Sequence, residues 1–197
     1  MKKFISVILS ALILSTVLTA CGGSPNSQTL AGSANGGDKD TYKIAIVQPM
    51  SHTSLDQIRD TIVAELGNSD QDIVIDTKNA NGDSTALSTI LENCKAEGVD
   101  LVIPIATSTA QSAKAVFDGT GTPIVFAAVS DPAAAGLTGE DCQNITGVSN
   151  NIPAAEIVKL IFNFQPDCQK IGFLYTSSEA NSVSTIAAAK AYCDQEH

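Results

Sequence analysis

The chain has 197 residues, 44% hydrophobic and 16% charged, enough for one globular domain or one domain and part of a second. Its 14 Gly and 7 Pro are an ordinary share, which excludes a collagen-like or disordered chain. Eleven basic against 21 acidic side chains leave a formal charge of −10, a surface that repels phosphate backbones and argues against nucleic-acid binding, and two His with no Trp nearly exclude a His-built metal site.

Lys2 and Lys3 precede an apolar stretch from Phe4 to Thr19, with small residues at Ala20 and Cys21. A positive start, a short apolar middle and a small-residue exit describe a secretory signal over residues 1–20. The stretch is shorter than the ~20 residues that a bilayer span requires. Leu18-Thr19-Ala20-Cys21 resembles the lipobox of bacterial lipoproteins, which implies acylation of the Cys21 thiol and anchoring at the extracytoplasmic face of the cell membrane. Residues 21–41 are rich in Gly, Ser and Asn and nearly free of apolar side chains, so they read as a flexible tether with a reach of about 25 Å.

From Tyr42 onward the pattern changes. Apolar runs rich in β-branched residues appear at Ile44–Val47, Ile73–Ile75, Leu101–Ile105, Pro123–Val129, Ile145–Val148 and Ile171–Tyr175, their starts 22 to 29 residues apart. That spacing is close to the ~30 residues of a βαβ unit, and continuous apolar runs suit strands buried on both faces of a parallel sheet. The segments between them predict helices. Leu55, Ile58, Ile62, Val63 and Leu66 form one apolar stripe, and Leu87, Ile90, Leu91 and Cys94 another, with Asp83 as N-cap and Gly98 as stop. A third helix carries Ala110, Ala113 and Phe117. A fourth, entered through Pro153, carries Ile157, Val158, Ile161 and Phe164, and a fifth begins near Asn181. The expected fold class is α/β, a doubly wound parallel sheet.

Such sheets bind ligands at the carboxyl ends of their strands, and the turns there are polar, hydroxyl-rich and poor in charge. They include Gln48-Pro49-Met50-Ser51-His52, Asn79-Ala80-Asn81-Gly82-Asp83, Thr107-Ser108-Thr109-Ala110, Ser130-Asp131-Pro132 and Thr176 to Ser182. Their composition suits capture of a small polar molecule better than chemistry upon it.

In order and spacing, Gln48-Pro49 with His52, Asn79-Ala80 with Gly82-Asp83, Ala106-Thr107 with Ala110-Gln111, Pro123 to Val129 with Asp131-Pro132, Ala135-Gly136-Leu137, Asn144 to Ser149, and Ile171-Gly172 with Tyr175 and Glu179-Ala180-Asn181-Ser182 are similar to one family. It is the family of ABC-transporter substrate-binding lipoproteins with the type I periplasmic-binding-protein fold, some of whose members bind aromatic amino acids such as tryptophan. The resemblance runs from Tyr42 to about Tyr192. It implies a first α/β lobe over residues 42–150, the beginning of a second, incomplete lobe over 151–197, solute closed between the lobes, and a monomer that delivers it to a permease served by a separate ATPase subunit. Members of the family continue well past this length. The unpaired sheet edge of a half lobe favours a fragment over a naturally short protein.

Thr107, Ser108 and Thr109 stand where the third strand meets a helix, and free N–H groups, the helix dipole and the hydroxyls all favour an anion there. The resemblance makes this the dock for a ligand carboxylate; otherwise Thr107 or Ser108 caps the helix. Asp131 could accept from a ligand ammonium or serve a turn beside Pro132. Asn181 and Ser182 face the same cleft if the family geometry holds, or cap their own helix. Gln48 and His52 lie at the first strand's exit, and stacking on a ligand would fall to Tyr175 or to residues beyond His197. Cys94, Cys142, Cys168 and Cys193 allow three disulfide pairings, which the sequence leaves open, and none shows the C-x-x-C spacing of metal or redox sites. The sequence has no G-x-S-x-G elbow, phosphate-binding G-x-x-x-x-G-K-[ST] loop or G-x-G-x-x-G turn after a strand. No cofactor, metal or catalytic residue is expected. The expected function is the extracytoplasmic solute-binding component of an ABC import system, taking a small polar molecule such as an amino acid. The alternatives are an exported sensory binding protein and, behind it, an exported enzyme working through Asp131 and His52.

Overall fold

Five of the six β-branched runs pair side by side. The expected burial on both faces holds for the central runs at Ile44–Val47 and Leu101–Ile105, whereas the edge runs at Ile73–Ile75 and Ile145–Val148 stay partly exposed because each has a neighbour on one side only. The computed structural model describes residues 41–196; the expected signal segment, Cys21 and the tether up to residue 40 lie outside the described residues, as does His197. Strands β1 (Tyr42–Gln48), β2 (Ile73–Asn79), β3 (Leu101–Pro104), β4 (Ile124–Ala127) and β5 (Ile145–Val148) form one five-stranded sheet in the order β2-β1-β3-β4-β5. Every pairing is parallel, with Ile44 opposite both Ile75 and Leu101, and Ile124 opposite Ile145. This confirms the α/β doubly wound class.

The pleat of β1 shows why both faces must be covered. Ile44 and Ile46 pack with Leu55, Ile58, Ile62, Val63 and Leu66 of α1 (Thr53–Gly67). Ala45 and Val47 point the other way, into a cluster with Leu87, Leu91 and Cys94 of α2 (Ser84–Ala96) and Ala113 of α3 (Thr107–Val116). Asp83 caps α2 by accepting from the N–H groups of Thr85 and Ala86 at 2.7 and 3.1 Å. Gly98, with φ +65°, follows the C-cap and turns the chain toward β3. A separate apolar cluster joins Ala154 and Val158 of α4 (Ala154–Phe164) to Ala189 of α5 (Ala180–Glu196).

One expected element is absent. Ile171–Tyr175 forms no strand, and no ladder reaches it among the described residues. Ile171 and Phe173 pack against the α4–α5 cluster, whereas Gly172 and Leu174 are exposed. The alternation of a strand is present, but a strand also needs a neighbour's N–H and C=O groups, and none is supplied. The fourth run is also shorter than expected: β4 stops at Ala127 because Ala128 takes φ +56° and leaves the ladder.

Gly147 sits where β5 meets β4 most closely, and a Cβ there would overlap the carbonyl oxygen and ring of Phe126. Both obstacles belong to a packed strand and cannot swing away. Gly147→Ala is therefore expected to lower stability by about 1–3 kcal/mol, read as a lower denaturation midpoint at unchanged slope.

Candidate functional site

A sheet in the order β2-β1-β3 has its switch point between β1 and β3, because the chain leaves β1 toward one side and returns on the other. The turns at the carboxyl ends of these two strands diverge and leave a crevice. The β1 side of that crevice is held rigidly. Gln48 is 1% exposed, and its amide donates to the Met50 carbonyl (3.0 Å) and to Asp56 Oδ1 (2.8 Å). Its Oε1 accepts from Arg59 Nη1 at 3.2 Å, and Arg59 also pairs with Asp56 at 3.0 Å. The hydrogen bond that Arg59 donates to Asp60, followed by the charges of Asp60 and Asp56, holds the pKa of the Arg59 guanidinium above its ordinary value. Gln48 thus spends its hydrogen bonds inside the protein, fixing the turn that carries Ser51 and His52. The neighbouring β2 turn is tied on by Asn79 Nδ2 to Ser51 Oγ (2.8 Å) and Gly82 N to the Pro49 carbonyl (2.8 Å). His52 is exposed and is the N-cap of α1, its Nδ1 accepting from Ser54 N at 3.3 Å.

The β3 side is built differently. α3 begins at Thr107, its N-cap position is Ala106, and no side chain caps it. Neither Thr107 nor Ser108 takes the capping role that the sequence left open. The positive end of the helix dipole meets the crevice without a side-chain acceptor. Thr107 and Thr109 are buried, at 4% and 0% exposure, with Ser108 half-buried between them. The Thr109 hydroxyl is enclosed and finds no hydrogen-bond partner among the described residues. Ala106 has φ +75° and ψ 163°, a region that alanine seldom enters, and its N–H is fixed to the Ala127 carbonyl at 2.9 Å. The described non-glycine residues with positive φ are Asn81, Ala106 and Ala128, each just past a strand's carboxyl end. Strain of about 1–3 kcal/mol at such alanines is retained where the surroundings over-determine the backbone, and functional sites are where it collects.

Asp131 follows β4, the strand beside β3. Its Oδ1 accepts from Ala134 N at 2.9 Å, so the turn role is realised. It also lines a cavity of about 300 Å³ with Asn151, Pro153 at the head of α4, and Ser184 and Thr185 of α5. Two hydrogen bonds join the β4 and β5 exits: Ser130 Oγ to Asn150 Oδ1 (3.0 Å) and Ser149 Oγ to the Ser130 carbonyl (3.1 Å). Asn181 stands in the first turn of α5, half-buried, and its Oδ1 is enclosed with no partner among the described residues. Ser182 is half-buried beside it, and Tyr175 is exposed on the unpaired segment. The structure therefore gathers Thr107, Ser108 and Thr109 at one helix end and brings Asp131 against α5. Ser184 and Thr185 were missed in the sequence. They share a helical face with Asn181, three and four residues on, which is the signal that would have found them.

A family profile described as ABC transporter substrate binding protein matches residues 43–197. The tyrosine-binding protein of Clostridioides difficile is 28% identical over 204 aligned positions, which take in 100% of this chain and 58% of that protein. A crystal structure of an ABC domain from Streptococcus pneumonia in complex with L-Trp is 38% identical with a TM-score of 0.70, covering 79% of this chain and 54% of that one. The ligand-free, open structure of a substrate-binding protein with adhesive properties from Clostridium difficile is 31% identical with a TM-score of 0.62, covering 79% and 54%. The chain thus spans little more than half the length of each of these relatives.

The buried network at β1 yields a direct test. Gln48→Met keeps the length of the side chain but strips Asp56, Arg59 and the Met50 carbonyl of their shared partner. Unfolding in denaturant is expected to show a loss of about 1 kcal/mol, since the Met50 carbonyl loses its donor while the partly exposed Asp56 and Arg59 keep each other.

Proposed function

The chain belongs to the ABC transporter substrate-binding protein family, and from that premise we propose that it captures a small amino acid, aromatic in its side chain, for an ABC import system. The observation that carries the reading is the uncapped start of α3 beside the enclosed, unpartnered Thr109 hydroxyl. A ligand carboxylate there would accept from the first N–H groups of α3 and from the hydroxyls of Thr107 and Ser108, with the helix dipole adding its field. Support for an amino acid comes from two relatives, one named for tyrosine and one solved with L-Trp.

In this reading residues 42–150 make one lobe and 151–197 begin the other. Asp131 would take the ligand ammonium, and Asn181 and Ser182 would close on the ligand from α5. Tyr175 would stack on the ring. Gln48 would act by holding the β1 turn that presents His52. Closure follows because the ligand binds the closed arrangement through contacts to both lobes and the open one through contacts to one. The protein works as a monomer, anchored through lipidated Cys21, and hands its solute to a permease powered by a separate ATPase. Nothing in the arrangement requires a cofactor, since the task is binding without turnover.

Two measurements on the full-length protein test this. In a thermal-shift screen, L-tyrosine or L-tryptophan at 100 times its dissociation constant should add about 2.7 kcal/mol of stability, while sugars and nucleosides add none. Replacing both hydroxyls, Thr107→Ala with Ser108→Ala, removes two hydrogen bonds to a charged group and should weaken amino-acid binding roughly 100-fold by calorimetry. Unchanged affinity would reject the assignment of the carboxylate to α3.

A further inference from the structure

Of the four cysteines among the described residues, two lie apart from each other and from the rest. Cys94 is buried in the core under α2, where burial pushes its thiol up and keeps it protonated. Cys142 is buried beside Lys114, whose Nζ stands 3.2 Å from its sulfur. Cys168 and Cys193 are different. Both are half-buried free thiols, and both line one cavity of about 670 Å³ together with Phe162, Ile171, Phe173 and Lys190. Cys193 packs in the same apolar cluster as Ile171 and Phe173, so the chain leaving Cys168 runs beside the last turns of α5. The Cys168 sulfur makes only a 3.5 Å contact to the Lys170 carbonyl. Of the six possible pairs of these four cysteines, Cys168 and Cys193 are the pair that lines one cavity among the described residues.

We infer that Cys168 and Cys193 are a redox pair that closes to a disulfide across this cavity. In an oxidising extracytoplasmic setting the oxidant is a small or protein disulfide. One thiolate attacks it and forms a mixed disulfide, releasing one thiol; the second cysteine then displaces the other. The pair loses two electrons and two protons, and the oxidant leaves as two thiols. The new bond ties α5 to the segment that carries Ile171, Phe173 and Tyr175, a segment that no strand ladder holds among the described residues.

The inference is independent of the ligand reading, and its test involves no ligand. The full chain is reduced, equilibrated with glutathione and glutathione disulfide, trapped with iodoacetamide in denaturant and mapped by mass spectrometry. The expected result is a mass lower by two hydrogens and one cross-linked peptide joining Cys168 to Cys193, with Cys94 and Cys142 alkylated. For a link between residues 25 apart, the oxidised protein should melt about 5–10 °C above the reduced one. Cys168→Ser and Cys193→Ser should each melt like the reduced protein under both conditions. Alkylation of both Cys168 and Cys193 after oxidation, a link from either to Cys21, Cys94 or Cys142, or equal melting of the two forms would overturn the inference.

Discussion

Parallel strands can be joined only by crossovers that return along the sheet's faces, so every strand-to-helix turn arrives at the same edge. In this protein that constraint brings the exits of β1, β2, β3 and β4 side by side and places the divergence of the chain between β1 and β3. Burial on both faces enforces it. Ile44 and Ile46 are committed to α1, and Ala45 and Val47 to α2 and α3, so a shift of β1 by one residue would exchange the two clusters and break both. The site inherits its rigidity from that core. Its polar groups project from turns whose ends cannot move without unpacking a strand.

Within that frame the helix starts differ: α1 and α2 are capped by side chains, α3 and α4 are not, and α3 alone of these four adds a positive-φ backbone at its N-cap. α1 begins on the ring of His52 and α2 on the carboxylate of Asp83, each side chain accepting from its own helix. α3 begins on Ala106, which has nothing to offer, in a backbone conformation that alanine resists. A protein under selection for stability alone would place Ser, Asp or Gly there. The positive helix end, the enclosed Thr109 hydroxyl and the strain at Ala106 become intelligible together when the missing acceptor is a ligand's own carboxylate. The buried Gln48–Asp56–Arg59 network on the facing side follows the opposite rule. The Gln48 amide there is answered on both its oxygen and its nitrogen by Arg59, Asp56 and the Met50 carbonyl, so that wall of the crevice is firm.

Much of the architecture was legible in the residues because the signals are local. Continuous Ile/Val runs announced the strands, buried at β1 and β3 but partly exposed at the edge strands β2 and β5, the stripe through Leu55 to Leu66 announced α1, and Asp83 and Gly98 marked the ends of α2 as the structure has them. The errors arose where a second partner decides. Ile171–Tyr175 carries a strand's pattern, but a ladder depends on a neighbour that no local pattern encodes. Gln48 reads as a polar group at a strand's exit, and only the fold reveals that Asp56 and Arg59, a turn or two along α1, consume its hydrogen bonds. Likewise, Thr107 and Ser108 could have capped α3, and the backbone of Ala106 decides that they do not. Ser184 and Thr185 are not legible as site residues because they lie one turn inside α5, past the polar turn that marks a helix start.

The account rests on an anion meeting the start of α3, and a matched pair of ligands addresses it most directly. Calorimetry of the full-length protein with L-tryptophan and with tryptamine, which differs by the loss of the carboxylate alone, separates that contact from the ring and the ammonium. The account predicts measurable binding of the amino acid and a loss of at least roughly 100-fold for the amine. Equal affinity for the two would contradict it.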